Sequence, residues 1–342
     1  MATEADISTK AGNQNMIVCE TALILHLMKK FIAVIGAGIS GMSSAWLLAK
    51  EGYAVTLMAK AFSPDITSNK AAAFWFPYHI RNDKRGIQWC HDSYNTYLRL
   101  AQEAGTGVSI KTLLKVLRPH IADTQPAWVE FMPTGSLRVQ QQHDTQYAVV
   151  YEADVPLIET QIFLPYLRNC IEALGVQIIQ QEIETFDVLL QQYDAVVNCT
   201  GLASRSLCND DELIPVRGQV ALLSPVQNMP IFLDNEMPLY VVPRQDAVII
   251  GGTYEEHVEE AITESATIAR LLQNAYDTLP HLRSTKVIGD WAGLRPYRET
   301  VRVEIDLSKN LVHNYGHGGS GFTLAFGCAS EVVSLVKQVL HK

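Results

Sequence analysis

Residues 31–59, FIAVIGAGISGMSSAWLLAKEGYAVTLMA, constrain the fold more than any other stretch of the chain. FIAVIG is a continuous apolar, β-branched run of the kind that forms a strand buried on both faces of a parallel sheet. Over 39–50 the residues Met42, Ala45, Trp46, Leu48 and Ala49 recur at helical spacing, and Gly52 ends the helix. YAVTLMA follows as a second strand, so the segment is a βαβ unit with the usual right-handed connection. Gly36, Gly38 and Gly41 form GxGxxG directly after the first strand and opening the helix, the context a dinucleotide site requires. The first glycine permits the tight turn, the second lets backbone approach a pyrophosphate, and the third lets helix pack on strand. With the intervening Ile39 and Ser40, their N–H groups and the helix dipole face the phosphates. The triplet does not separate FAD from NAD. At the end of the second strand stands Lys60, where such units usually carry an acid for the ribose; by itself a lysine there suggests a ribose phosphate and hence NADP.

The bulk properties narrow the remaining classes. A chain of 342 residues accommodates one large domain or two ordinary ones. Its formal charge of −9, from 36 acids against 27 Lys plus Arg, leaves no electrostatic footprint for nucleic acid. Cys19, Cys90, Cys170, Cys199, Cys208 and Cys328 lack CxxC or other metal-ligand spacing and read as reduced thiols of a cytoplasmic protein, with no metal expected. The apolar run MIVCETALILHLMKK is short and contains Glu20, so it does not span a membrane, and its lysines follow the run where a secretory leader would place them before it. Since MKKFIAVIGAG from Met28 reads like a complete start, residues 1–27 are expected to be a dispensable extension.

Further along, a helix is expected over 89–104, then short mixed segments up to YAVVYEA. A helix over 158–174 and the strands VQIIQQ and AVVNCTG return to the βα style. GQVALL, LYVVP and AVIIGGTY read as strands, 263–279 as a helix, and LVHNYGHGGSGFTLAFGCASEVVSLVKQVL as a strand, a glycine loop and a long final helix.

KAAAFWFPY (70–78), VVNCTG (196–201), VRGQV (216–220), GLRPYRETVRVE (293–304) and HNYGHGGSGFT (313–323), in this order after the βαβ unit, resemble the D-amino-acid oxidase and D-aspartate oxidase family of FAD flavoproteins. The resemblance runs from residue 31 to the end. It implies an α/β protein with a discontinuous Rossmann-like FAD lobe from residues 28–80, 156–205 and 285–342, joined to a mixed-sheet substrate lobe from 81–155 and 206–284. It places Gly36, Gly38, Ile39, Ser40 and Gly41 at the pyrophosphate, and Ala71, Ala72, Ala73, Phe74 and Trp75 along the flavin. Lys60, Ile183, Thr200 and Gly201 count as further cofactor contacts. Gly318, Gly319, Ser320, Gly321, Phe322 and Thr323 form the loop at the pyrimidine edge, where N–H groups stabilise negative charge on the reduced ring.

For the substrate, the resemblance implies that Arg295 grips a carboxylate with its guanidinium fork, as a lysine could not. Tyr240 adds its hydroxyl, and Gly319 offers its carbonyl to the amine. Arg298 and Arg302 read as structural. The implied reaction is hydride transfer from Cα of a D-amino acid to flavin N5, giving a 2-oxo acid, ammonia and hydrogen peroxide. Only seven residues separate Phe232 from Tyr240, too few for a long lid, so the entrance is expected to be open. Asp234 and Glu236 in LDNEMP, and the acids of TYEEH, are expected to repel D-Asp and D-Glu, favouring neutral or basic side chains. Lys60 is left either donating to a ribose oxygen or pointing into solvent. A glycine-oxidase-like or D-aspartate oxidase activity, an inactive flavin-binding module and an NADP dehydrogenase are the competing readings. A D-amino acid and O2 are the expected partners, without nucleic acid or membrane, and a homodimer is left open.

Overall fold

The computed structural model describes residues 29–81, 83–118, 126–141, 147–234 and 236–341, so the 1–27 extension lies outside the described residues. Strand β1 (Phe31–Ile35) sends Ile32 and Val34 into one apolar cluster and Ala33 and Ile35 into another, which is why its sequence is uniformly apolar. Helix α1 (Ile39–Lys50) returns the chain to β2 (Ala54–Ala59), parallel to β1 with Ala33 opposite Thr56.

Helix α2 (Lys84–Leu100) begins well before residue 89, because the Asp83 carboxylate accepts from the Gly86 N–H at 2.8 Å and caps a first turn that carries no apolar periodicity. Strands β3 (Val108–Leu117), β4 (Leu137–Gln141) and β5 (Val149–Ile158) follow. Helix α3 (Thr160–Ala173) leads to β6 (Gln177–Gln180), and β7 (Ala195–Asn198) completes this part. Strands β8 (Ile214–Leu223), β9 (Ile231–Asp234), β10 (Leu239–Pro243), β11 (Val248–Gly251) and the two-residue β12 (Glu255–Glu256) precede helix α4 (Ser265–Thr278). The chain ends with β13 (Val287–Asp306), β14 (Leu311–His317) and helix α5 (Gly321–Leu340). The last helix is long and apolar enough to cross a membrane, but 67% of its most apolar window is buried inside the protein, against α1 and α2.

All these strands join one sheet in the order β4-β5-β3-β9-β10-β11-β8-β13-β14-β7-β1-β2-β6, with β12 alongside β8. The run β14-β7-β1-β2-β6 is entirely parallel. From β14 to β13 to β8 to β11 to β10 to β9 the pairs are antiparallel. The joint is β14, parallel to β7 on one side and antiparallel on the other to β13, a strand that the sequence reading did not include. Its 20 residues carry charges, glycines and Pro296, so they show no apolar run. It pairs with β8 from Val287 to Tyr297 and with β14 at Tyr297 and again from Arg302 to Asp306, with an irregularity in the β14 pairing between Tyr297 and Arg302. Arg295 stands just before that irregularity, opposite Val216 of β8.

Candidate active site

A continuous cavity of about 430 Å³ opens along the C-terminal ends of the parallel strands and extends to β8, β10 and β13. Strand ends of an open α/β sheet are where such crevices form, because the loops there part to opposite faces. Gly36, directly after β1, has φ +107°, and a Cβ on it would overlap the Cys199 carbonyl. Gly38 and Ile39 line the cavity, and the Ile39 N–H is held by Ser68 Oγ at 3.0 Å. Ser40 lines it too, its Oγ 3.3 Å from His317 Nδ1. Gly41 does not line it; a Cβ there would strike the Gly36 carbonyl, so this glycine serves the packing of helix on strand.

The wall opposite is built by Ala71, Ala72, Ala73 and Phe74. Ala73 adopts φ +56°, a left-handed conformation that costs a non-glycine residue about 1 kcal/mol or more. It is held there by the Ile158 N–H, which donates to its carbonyl at 2.8 Å, and by the bridge from Phe74 to Leu157. Trp75 lies behind this wall rather than on it: it is fully buried, donates from Nε1 to the Cys90 carbonyl at 3.0 Å and packs edge-on to Tyr94. Thr200, Gly201 and Ile183 line the cavity, as do Gly318, Gly319, Gly321, Phe322 and Thr323. Ser320 is turned away and bonds the Tyr78 backbone, while Thr323 Oγ1 donates to the Phe76 carbonyl at 2.9 Å. These bonds lace the glycine loop to residues 76–78.

Two buried polar atoms on or beside this cavity find no hydrogen-bond partner among the described residues: Asn314 Oδ1 and His317 Nε2, both from β14. A polar ligand can satisfy them, since buried groups left unpaired are costly. Burial depresses the His317 pKa to about 4, so the ring is neutral at pH 7 and Nε2 is free to donate or accept according to tautomer. Glycine cradles after a parallel strand, a backbone-walled slot and unpaired polar atoms together fit an extended, phosphate-bearing ring cofactor. Among the described residues no cluster of His, Cys, Asp or Glu could hold a metal ion.

At the far end, Arg295, Tyr240 and Gly319 line the cavity side by side. Arg295 donates from Nη1 to the Thr253 carbonyl at 3.1 Å, and among the described residues no Asp or Glu pairs with it. That distinguishes it from Arg298, held by Asp210 and Glu212, and from Arg302, held by Glu304 and the Tyr315 hydroxyl. Glycines make the room: a Cβ at Gly218 would overlap the Arg295 guanidinium, and a Cβ at Gly251, directly across the ladder from Tyr240, would overlap the phenol ring. Burial raises the Tyr240 pKa while Arg295 pulls it down, and the same opposition governs Tyr78, whose ring covers Gly319. Both phenols therefore remain protonated donors at neutral pH. Leu233 pairs with Tyr240 across the β9–β10 ladder and lines the same wall.

Sequence reasoning missed Tyr78 and His79 of one loop and Tyr254 of another. His79 stacks on Tyr254 at 4.9 Å, Tyr78 sits edge-on to both, and Tyr297 flanks Tyr254. His79 adopts φ +49°, and its pKa is lowered by burial and by Arg295. Aromatic side chains thus flank the arginine even though the loop between Phe232 and Tyr240 is short.

The expectation that Asp234 and Glu236 face the substrate is wrong. Leu233 points to the cavity, so the alternation of the strand turns Asp234 to the opposite face. There its carboxylate is 2% exposed, binds Arg118 Nη2 at 3.0 Å and accepts from the N–H groups of Glu236 and Met237. Glu236 approaches the same arginine at 4.0 Å, and both acids lie near the buried Lys115, whose pKa burial lowers to about 8. Acids so neutralised do not repel a ligand in the cavity. Lys60 lines the cavity and is exposed to solvent, but it does not stand alone: its Nζ lies 3.3 Å from Glu182 Oε1.

Comparison with known proteins agrees with this geometry. The family model described as FAD dependent oxidoreductase matches residues 32–335. The D-amino-acid oxidase of Rubrobacter xylanophilus is 32% identical over 314 residues, which is 90% of this chain and 96% of that one. The D-aspartate oxidase of Homo sapiens is 29% identical over 329 residues, covering 91% and 95%. Among solved structures, glycine oxidase from Bacillus cereus superposes with a TM-score of 0.76 at 19% identity, covering 92% of this chain and all of the other, a likeness of fold alone. The chain belongs to the D-amino-acid oxidase family of FAD-dependent oxidoreductases, and its cofactor is FAD.

Proposed function

We propose that the protein oxidises D-amino acids with neutral or basic side chains to 2-oxo acids, releasing ammonia and hydrogen peroxide. The observation that carries this reading is Arg295: a cation in the cavity wall with a backbone carbonyl but no carboxylate among its described partners, beside a tyrosine hydroxyl. An arginine so placed has a guanidinium edge left for a bidentate carboxylate. Tyr240 adds a second donor to that carboxylate, and the Gly319 carbonyl accepts from the amine. Holding both ends of the amino acid group fixes which face of Cα is presented, and this is the origin of stereoselectivity. FAD, when bound, supplies the two-electron acceptor and the route to O2. Within reach of Arg295 the raised phenols of Tyr78 and Tyr240 are poor bases, which fits a mechanism of positioning in which the amine enters neutral.

Leu233, Phe74, Tyr78 and Tyr240 make the lining beside Arg295 largely apolar and aromatic, which supports neutral substrates. Because Asp234 and Glu236 face away, they give no reason to exclude dicarboxylic D-amino acids, and the D-aspartate oxidase reading stays as the second one. Five described cysteines are free, which supports the inference of a cytoplasmic protein. Anaerobic mixing with a panel of D- and L-amino acids, followed by loss of the flavin absorbance, tests the whole proposal. Bleaching by L-amino acids alone, or by none, would reject it.

A further inference from the structure

In a βαβ nucleotide site the ribose is read at the end of the second strand, where a carboxylate accepts from its hydroxyls. Lys60 at that position can only donate. The structure supplies the missing acceptor from the adjacent strand. β6 pairs parallel with β2, Ala59 opposite Gln180, and the pairing continues beyond the strand ends. The Gln181 N–H donates to the Ala59 carbonyl at 2.9 Å, and Gln180 Nε2 donates to the Lys60 carbonyl at 3.2 Å. The next residue, Glu182, is thereby fixed beside Lys60, and both line the cavity with Ala59, Ala61 and Ile183. The two side chains are 68% and 66% exposed, so their ion pair contributes little to folding. A stability role therefore does not account for a carboxylate held at the cavity rim.

We infer that Glu182, held by Lys60, is the group that accepts the hydrogen bonds of the adenosine ribose of FAD, taking over from β6 the role that an acid at the end of β2 would otherwise fill. The pairing also explains the choice of nucleotide. A lone lysine would attract a 2′-phosphate, whereas a lysine already neutralised by Glu182 presents that phosphate with a carboxylate. Lys60 is in this scheme a positioning residue, and the discrimination between a free and a phosphorylated ribose belongs to Glu182.

The test uses apoprotein of the full chain, wild type and Glu182→Gln, titrated with FAD and with an FAD analogue carrying 2′-deoxyadenosine, by quenching of flavin fluorescence. Loss of a charged acceptor is expected to weaken FAD about tenfold. The deoxy analogue, which keeps only the 3′-hydroxyl, should lose less, about threefold. Adenosine 2′,5′-bisphosphate should compete with FAD better against the variant than against wild type, relative to adenosine 5′-phosphate, because Lys60 is released. Lys60→Met serves as a second variant: it leaves the carboxylate but loosens it, so FAD should weaken without any gain for the bisphosphate. Equal losses for FAD and its deoxy analogue in Glu182→Gln, or no loss for either, would overturn the assignment. So would unchanged competition by the bisphosphate.

Discussion

Replacing Arg295 by lysine isolates the fork from the charge. In the native site one edge of the guanidinium reaches the Thr253 carbonyl at 3.1 Å, and among the described residues no acid competes for the rest. A lysine keeps the charge but has a single ammonium, which must choose between Thr253 and the substrate. The substrate thus loses at least one charge-assisted hydrogen bond, worth about 1.5 to 3 kcal/mol, or about ten- to 150-fold in kcat/KM. The assay is steady-state oxidation of D-alanine by peroxide production, with the flavin spectrum recorded to confirm that the cofactor is retained. A complementary variant tests the same geometry without touching the arginine: Gly218→Ala places a methyl group where the guanidinium lies, and should displace it with a loss of similar size. If both variants hold their flavin and keep kcat/KM within about twofold, Arg295 is not the carboxylate anchor and the reasoning fails.

Tyr240→Phe removes one neutral donor from the same corner, so KM for D-amino acids should rise by up to about tenfold with flavin content unchanged; an unaltered KM would take the hydroxyl out of the site. Asp234→Asn breaks a buried pair with Arg118, and a fall of Tm by several degrees, with no gain in D-aspartate oxidation, is expected; improved use of D-aspartate would restore the charge argument that the structure removes. His313 and His317 both have pKa values that burial lowers to about 4, against 6.5 in the unfolded chain, so the unfolded state binds more protons between these values. Stability should be full above about pH 6.5 and fall as the pH drops towards 4; thermal unfolding across this window checks it, and His313→Asn should flatten the dependence.

Much of this protein was legible in its sequence because the relevant physics is local. A strand buried on both faces has to be apolar throughout, and a backbone that approaches a phosphate has to be glycine, so β1, GxGxxG and the loop at 318–323 can be read without coordinates. The helix start at Lys84 was missed because its cap is one side chain, Asp83, outside any apolar repeat. Strand β13 was missed because its residues are stabilised by pairing with β8 and β14 rather than by their own hydrophobicity. What only the tertiary structure decided is which way each side chain faces and who stands beside it. Alternation along β9 turns Leu233 into the cavity and Asp234 out of it, and no property of the isolated segment LDNEMP reveals which face is inside. Lys60 looks like a lone cation in sequence, because Glu182 lies more than a hundred residues further on; the parallel pairing of β2 with β6 makes them neighbours and gives the site a net charge that neither residue has alone.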